Sequence, residues 1–178
     1  MPLPADCIYS RLMRALSLAI LVGLTACDAP PAKPRTAAAF YKSEYAGARR
    51  VNALGDNVTL EQYSGNFVWV DYAAEWCAAC QPQTMAVKSV SRSGSRGVVF
   101  VTVMTSEPQG YGHPATEATA ARWAARLGLD PSRVLAADLT SMKLPRHILY
   151  SPRGEALFDH TGQLSAAQIQ ATLEAEIR

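Results

Sequence analysis

Cys77 and Cys80, with only Ala78 and Ala79 between them, are spaced to close a disulfide with each other and to reopen it. Residues three apart on a helix share a face. A thiol at a helix N-terminus also meets unpaired N–H groups and the positive end of the dipole, which lowers its pKa from the free value of about 8.5. That position makes Cys77 the nucleophile toward a foreign disulfide. Cys80, one turn deeper, resolves the mixed disulfide. Six residues before Cys77, Asp71 stands inside the apolar run Phe67-Val68-Trp69-Val70-Asp71-Tyr72-Ala73. Burial raises a carboxyl's pKa, so Asp71 is a proton acceptor for Cys80, acting through a water. Its other reading is a paired acid at a strand end. The same cysteines would also serve as half of a zinc site, but His113, His147 and His160 show no ligand spacing. A copper-binding module and a thiol peroxidase are the remaining alternatives. The peroxidase reading lacks a Thr-x-x-Cys environment.

These residues need elements that place them. Phe67–Ala73 reads as a central strand covered on both faces. From Cys77 to about Val90 the pattern is helical, with Met85, Val87 and Val90 apolar. Pro82 lies within that helix, removes the bond to Ala78, and is expected to kink or loosen its first turns. Val98–Met104 is a second buried strand, and Pro108–Pro114 is irregular. Ala115–Leu127 is a helix closed by Gly128. Arg133–Ala136 is a short strand, and His147–Tyr150, the turn Ser151–Gly154 and Glu155–Phe158 form a hairpin. Ser165 caps a terminal helix that runs to about Ile177. Val58–Gly65 is a short turn or helical piece. The order β-α-β-α-β-β-α predicts an α/β domain with a central mixed β-sheet flanked by helices.

The run Val70–Cys80 resembles the active-site segment of the thioredoxin-like superfamily, which a CxxC near a βαβ pattern also suggests. Leu144-Pro145 resembles that fold's cis-proline, and Gly162 the glycine before its last helix. The likeness covers about residues 57–178. The long segment Met104–Leu129 is similar to the insertion of TlpA-type membrane-anchored reductases, and the stretch around Trp76-Cys77 also resembles the C-terminal domain of DsbD-type carriers. The resemblance implies a protein disulfide oxidoreductase whose only redox group is the Cys77–Cys80 pair, with no added cofactor. It implies that Pro145 packs on the cysteines and that the Leu144 backbone pairs with an extended substrate strand. Trp76 would cover the site. Arg146 stands where the family often has Thr; it would favour acidic substrate segments, help the thiolate, or face solvent. Many thioredoxins place a Lys opposite the buried acid, whereas Val98–Met104 contains none. Implied partners are proteins with cysteine pairs, such as apocytochrome c or copper-site assembly proteins, and a membrane electron donor of the DsbD/CcdA type.

The 178 residues are 49% hydrophobic with a net charge of +2, which suits one globular domain and gives nothing for nucleic acid to bind. Residues 1–26 read as a signal peptide, with Arg11 and Arg14, then the apolar Ala15–Leu24, then Thr25-Ala26. The apolar run is well short of the roughly 20 residues that span a bilayer. Met13 is an alternative start. Leu24-Thr25-Ala26-Cys27 resembles the bacterial lipoprotein signal, which implies cleavage before Cys27 and its acylation. Asp28 resembles the enterobacterial signal for inner-membrane retention. Residues 27–39 read as the lipidated cysteine and a Pro/Ala-rich tether, and 40–178 as the thioredoxin-like domain. With Cys7 removed and Cys27 acylated, Cys77 and Cys80 are the free pair, in a compartment where disulfides form. The expected location is the periplasmic side of the inner membrane, held by lipid. His113 is expected at the surface.

Overall fold

The structure, a computed structural model, describes residues 35–95, 97–110 and 112–177. The signal-peptide reading, Cys27 and most of the tether lie outside the described residues. Four α-helices and seven strands occur among the described residues: α1 (Arg35–Lys42), β1 (Arg50–Asn52), β2 (Asn57–Val58), β3 (Phe67–Ala73), α2 (Cys80–Arg92), β4 (Val98–Met104), α3 (Glu117–Leu127), β5 (Val134–Ala136), β6 (Arg146–Tyr150), β7 (Ala156–Thr161) and α4 (Ala166–Glu176). They form one sheet in the order β2-β1-β5-β4-β3-β6-β7. β3, β4 and β5 are parallel; the remaining pairings are antiparallel. This is the mixed sheet that the sequence predicts.

Alternation along β3 divides its side chains between two cores. Trp69, with Leu149 and Phe158 from β6 and β7, meets Val87 and Val90 of α2 and Ile169 and Leu173 of α4. Farther along the same face, Ala73 and Met104 meet Ala120, Trp123 and Leu127 of α3. Val68, Val70 and Tyr72 point the other way, to Val101, Val103, Ile148, Tyr150 and Tyr45. That second face is covered by the N-terminal segment, α1 and the π-helical turn Ser43–Gly47, which follows it.

A buried ion pair locks this N-terminal cover to the sheet. Arg50 of β1 reaches Glu44 at 2.6 Å, and also donates to the Glu44 and Ala48 carbonyls at 3.0 and 3.2 Å. The Tyr72 hydroxyl donates to the same Glu44 carboxylate at 3.1 Å. Tyr45 packs on Tyr150 with ring centroids 5.2 Å apart. It lies so close over Gly154, in the turn between β6 and β7, that a Cβ there would clash with the ring. Gly154 also has φ +78°, so both space and backbone call for glycine.

Several elements differ from the sequence expectations. α1 begins at Arg35, inside the segment read as tether. β1 and β2 form a hairpin that the sequence pattern did not reveal. These strands are too short for periodicity, and the turn between them is held by the Asn52 side chain, which accepts from Leu54 and Asp56 N–H, both at 2.9 Å. The helix expected from Cys77 begins at Cys80, with 77–79 in a preceding turn in which Cys80 N–H donates to the Cys77 carbonyl at 3.0 Å. Pro82 is therefore the third residue of α2. Its missing N–H falls among the first-turn donors that have no helical partner, so it fits the helix start and the expected kink is not needed. The caps at Ser165 and Gly128 agree: Ser165 closes a capping box, and Gly128 ends α3 at φ +58°. The helix expected from Ala115 begins at Glu117, where Thr116 closes a second capping box.

Glu44→Ala should leave Arg50 charged, buried and unpaired. We expect a loss of about 3–5 kcal/mol, read as a lower urea midpoint. A loss below about 1 kcal/mol, the scale of an exposed ion pair, would mean that the N-terminal cover is not anchored by this pair.

Candidate functional site

β3 ends at Ala73, and the chain turns through Ala74–Ala79 before α2 begins. Cys77 N–H donates to the Ala74 carbonyl at 3.2 Å, which closes the turn. The two cysteines are joined as a disulfide with Cα atoms 5.3 Å apart. Cys77 keeps 8% of its surface exposed and Cys80 keeps none. Attack from outside can therefore reach only Cys77. The turn also carries Trp76, which is 38% exposed and donates from Nε1 to Ser106 Oγ at 2.7 Å. Its ring stands beside Gly110.

The insertion between β4 and α3 is stapled to this turn by one guanidinium. Arg122 of α3 bridges Glu75 at 3.0 Å and Glu107 at 3.1 Å. Glu107 accepts hydrogen bonds from the Thr116 and Thr119 hydroxyls, and these two, with Arg122, hold its carboxyl below the usual range. On the other side, Gln163 donates to the Ala79 carbonyl at 3.3 Å, and Leu164 N–H donates to Gln83 Oε1 at 2.6 Å. The start of α2 is thus fixed to the segment preceding α4. His113 is exposed, as expected.

Asp71 is fully enclosed in β3. Burial pushes its carboxyl up to about 7, against an opposing hydrogen bond from Thr84. The Thr84 hydroxyl donates to Oδ2 at 2.6 Å. Thr84 lies four residues after Cys80 on α2, so Cys80 and the residue that holds Asp71 share one helix face. On β4 the position opposite Asp71 is Thr102. On β6 it is His147, whose Nδ1 is 3.5 Å from Asp71 Oδ1, with both side chains fully buried. Burial pulls the His147 imidazole down to about 4; His160 adds to the effect and the Gly162 backbone opposes it.

The Leu144–Pro145 peptide bond is cis, as the resemblance implied. Pro145 is buried, and its carbonyl accepts from Gly162 N–H at 2.8 Å. Leu144 packs against the cluster that contains Cys77 and Cys80. Arg146 turns away from the cysteines' side of the sheet. Its guanidinium grips Asp159 at 2.8 and 2.6 Å and lies over Phe40, 4.9 Å from the ring centre. The cation that the sequence placed beside the site is thus already paired.

The structure brings together Cys77, Cys80, Trp76, Leu144 and Pro145 at one end of the sheet, with Asp71 beneath. Sequence reasoning missed Thr84 and His147. His147 had a legible signal: it is a histidine in an apolar strand, and pairing that strand with Phe67–Ala73 sets it opposite the acid. Among the described residues no group of three or more His, Cys, Asp or Glu side chains is placed to hold a metal ion. No described helix is long and apolar enough to cross a membrane.

No protein-family model matches the chain, and no curated protein matches it by sequence. Solved structures do match in fold. The exposed lipoprotein thioredoxin of Streptococcus pneumoniae strain TIGR4 is 20% identical, with a TM-score of 0.55, over 71% of this chain and 97% of that one. A thioredoxin-family thiol:disulfide interchange protein from Chlorobium tepidum TLS is 16% identical, with a TM-score of 0.58, over 74% of this chain and 95% of that one. MTB DsbF, solved in mixed oxidised and reduced forms, is 17% identical, with a TM-score of 0.60, over 76% of this chain and 96% of that one. The fold is thioredoxin-like, and these structural neighbours are thiol–disulfide proteins.

Asp71 makes a testable contribution to stability. Its folded-state pKa, about 7, lies above the ordinary 3.8, so the folded chain holds this proton more tightly than the unfolded one. Ionising Asp71 then costs stability as the pH rises from about 4 to about 7. Asp71→Asn removes that cost. Its advantage in thermal or urea unfolding should be small near pH 4 and grow to the order of 4 kcal/mol by pH 8. A difference that does not change with pH would show that Asp71 is not held protonated by burial.

Proposed function

We propose that this chain is a thiol–disulfide oxidoreductase that reduces disulfides of other proteins outside the cytosol. One observation carries the reading: a closed Cys77–Cys80 disulfide in which Cys77 is still touched by solvent and Cys80 is sealed, on the helix face whose Thr84 holds a buried carboxyl. In the reduced form the Cys77 thiolate attacks one sulfur of a substrate disulfide. A Cys77–substrate disulfide forms, the substrate disulfide breaks, and the departing thiolate takes a proton from water. Cys80 gives its proton to Asp71 and attacks Cys77 Sγ. The internal disulfide forms and the second substrate sulfur leaves as a thiolate. The substrate has gained two electrons and the cysteine pair has lost two. A membrane reductant of the DsbD/CcdA type would restore them.

The rim has defined parts in this reading. An extended substrate segment would pair with the backbone at Leu144, beside Pro145, and Trp76 would shield the sulfurs from the insertion side. Arg146, held by Asp159, lies on the other face of the sheet and is not part of that rim. Between the cysteines, Ala78 and Ala79 bring neither charge nor side-chain donor, so the thiolate relies on the helix end and the disulfide should be a weak oxidant. Clients with cysteine pairs, such as apocytochrome c or copper-site assembly proteins, suit a reductant of this kind.

Two experiments test this. Titration against a dithiothreitol buffer should give a midpoint below about −180 mV, the level of an isomerase, and Cys80→Ala should trap clients as mixed disulfides on Cys77. A higher midpoint would make the protein an oxidant or isomerase. For the anchor, Cys27→Ser expressed in a bacterial host should move the domain from the membrane fraction to the soluble fraction with dithiol activity intact. A variant that stays on the membrane through a high-salt wash would refute acylation at Cys27.

A further inference from the structure

Asp71 is sealed from solvent, yet an acceptor that takes a proton in one half of a redox cycle must release it in the other. Its two oxygens are placed differently. Oδ2 is held by the Thr84 hydroxyl, whereas Oδ1 faces His147 Nδ1 at 3.5 Å. Oδ1 and both ring nitrogens of His147 make no well-formed hydrogen bond among the described residues, although the Gly162 backbone lies close enough to the ring to favour its charged form. Buried polar atoms left so are costly. A proton held between Oδ1 and Nδ1, after an approach of a few tenths of an ångström, satisfies both. The next position in the row is His160. Thr102, Asp71, His147 and His160 are successive partners across β4, β3, β6 and β7, and His160 is only half-buried. Side chains directly opposite on neighbouring strands have Cβ atoms about 4.5–5.5 Å apart. The row therefore leads from the sealed carboxyl to the edge of the sheet.

We infer that His147 is a positioning residue that carries the proton exchanged between Cys80 and Asp71 across the sheet to His160 and solvent. This rests on the proposed role of Asp71 as the acceptor for Cys80. When Cys80 forms the disulfide, its S–H bond breaks and Asp71 becomes a neutral acid. That acid passes its proton to the lone pair on His147 Nδ1, and Nε2–H passes a proton outward. When the disulfide is reduced again, every transfer reverses. Nε2 takes a proton from the solvent side, Nδ1–H returns one to Asp71, and Asp71 protonates Cys80. The starting tautomer is restored with no net change.

The surroundings favour this route. α2 presents Thr84 to Asp71, with Cys80 one turn earlier; Lys88, one turn later, is engaged by the Leu127 carbonyl at 2.5 Å. β4 presents the uncharged Thr102, and β7 presents His160. The residues that α4 and the segment before it bring to this core, Leu164, Ile169 and Leu173, are apolar. Trp69 lies along the His147 ring, centroids 5.7 Å apart. Asp159 and Arg146 are paired with each other at the edge. Burial lifts the Asp71 carboxyl to about 7, so near neutral pH it can both take a proton and release it, while burial keeps the His147 imidazole neutral with a lone pair to receive one.

The test follows resolution of a preformed Cys77 mixed disulfide by stopped flow from pH 5 to 9, in wild type, Asp71→Asn and His147→Leu. Wild-type protein carrying ¹⁵N-histidine is titrated by NMR alongside. His147→Leu should slow resolution about tenfold at pH 7 and shift the midpoint of its pH profile. Alkylation of Cys77 in the reduced protein should stay unchanged. In wild type, the His147 ring nitrogens should respond at the same pH as the Asp71 carboxyl, and that response should vanish in Asp71→Asn. A folded His147→Leu variant with the wild-type rate and midpoint overturns the relay and leaves Asp71 as the acceptor if Asp71→Asn is slow. Wild-type resolution in Asp71→Asn overturns both. If His147→Leu does not fold, the wild-type titration decides: ring shifts independent of Asp71 refute the relay.

Discussion

β3 is covered on both faces, with six of its seven residues sealed from solvent, so each ionisable side chain it carries must be accommodated inside the protein. Two such side chains are adjacent, Asp71 and Tyr72, and strand alternation sends them to opposite faces. Each is answered from a distant part of the chain. Tyr72 meets the Glu44–Arg50 pair supplied by the N-terminal segment and β1. Asp71 meets Thr84 from α2 and His147 from β6. The first arrangement closes the fold. The second is the chemical floor of the cysteine site.

The parallel pairing of β3 with β4 and its antiparallel pairing with β6 explain why the site is where it is. Both bring their ends to the edge where β3 runs out at Ala73, so the turn with Cys77, the insertion after β4 and the turn with Pro145 converge there. Each is then fastened separately. Arg122 ties the insertion to Glu75, the Trp76 indole ties it to Ser106, and Gln83 and Gln163 tie the start of α2 to the approach to α4. The cysteines sit on this frame with Cys77 still touched by solvent and Cys80 sealed.

Charge around the site is largely balanced in place. Arg122 sits between Glu75 and Glu107, and Arg146 is held by Asp159, which also accepts from the Tyr41 hydroxyl at 2.7 Å. The polar row from Asp71 to His160 runs beneath the site, on the face covered by α2 and α4.

The sequence alone determined what depends on neighbours in the chain. The spacing of Cys77 and Cys80, the acid six residues earlier, the buried strands 67–73 and 98–104, the Ser165 helix start and Gly128 are local signals, because caps, turns and strand periodicity are set within a few residues; Pro145 was legible through the family resemblance. The helix start at Cys80, and with it the harmless place of Pro82, turned on a shift of three residues, which is finer than periodicity resolves. What only the tertiary structure decided is which residues meet. β1 and β2 are too short to show a period, and Glu44 and Arg50 look like two surface charges until the N-terminal segment folds over the sheet. Arg146 looks like a free cation until β7 sets Asp159 beside it. His147 is one residue in an apolar strand until β6 pairs with β3 in a single register. A slip of one residue would turn it to the other face and leave Asp71 with a different neighbour. Register is fixed by the packing of whole faces, and no single stretch of sequence contains it.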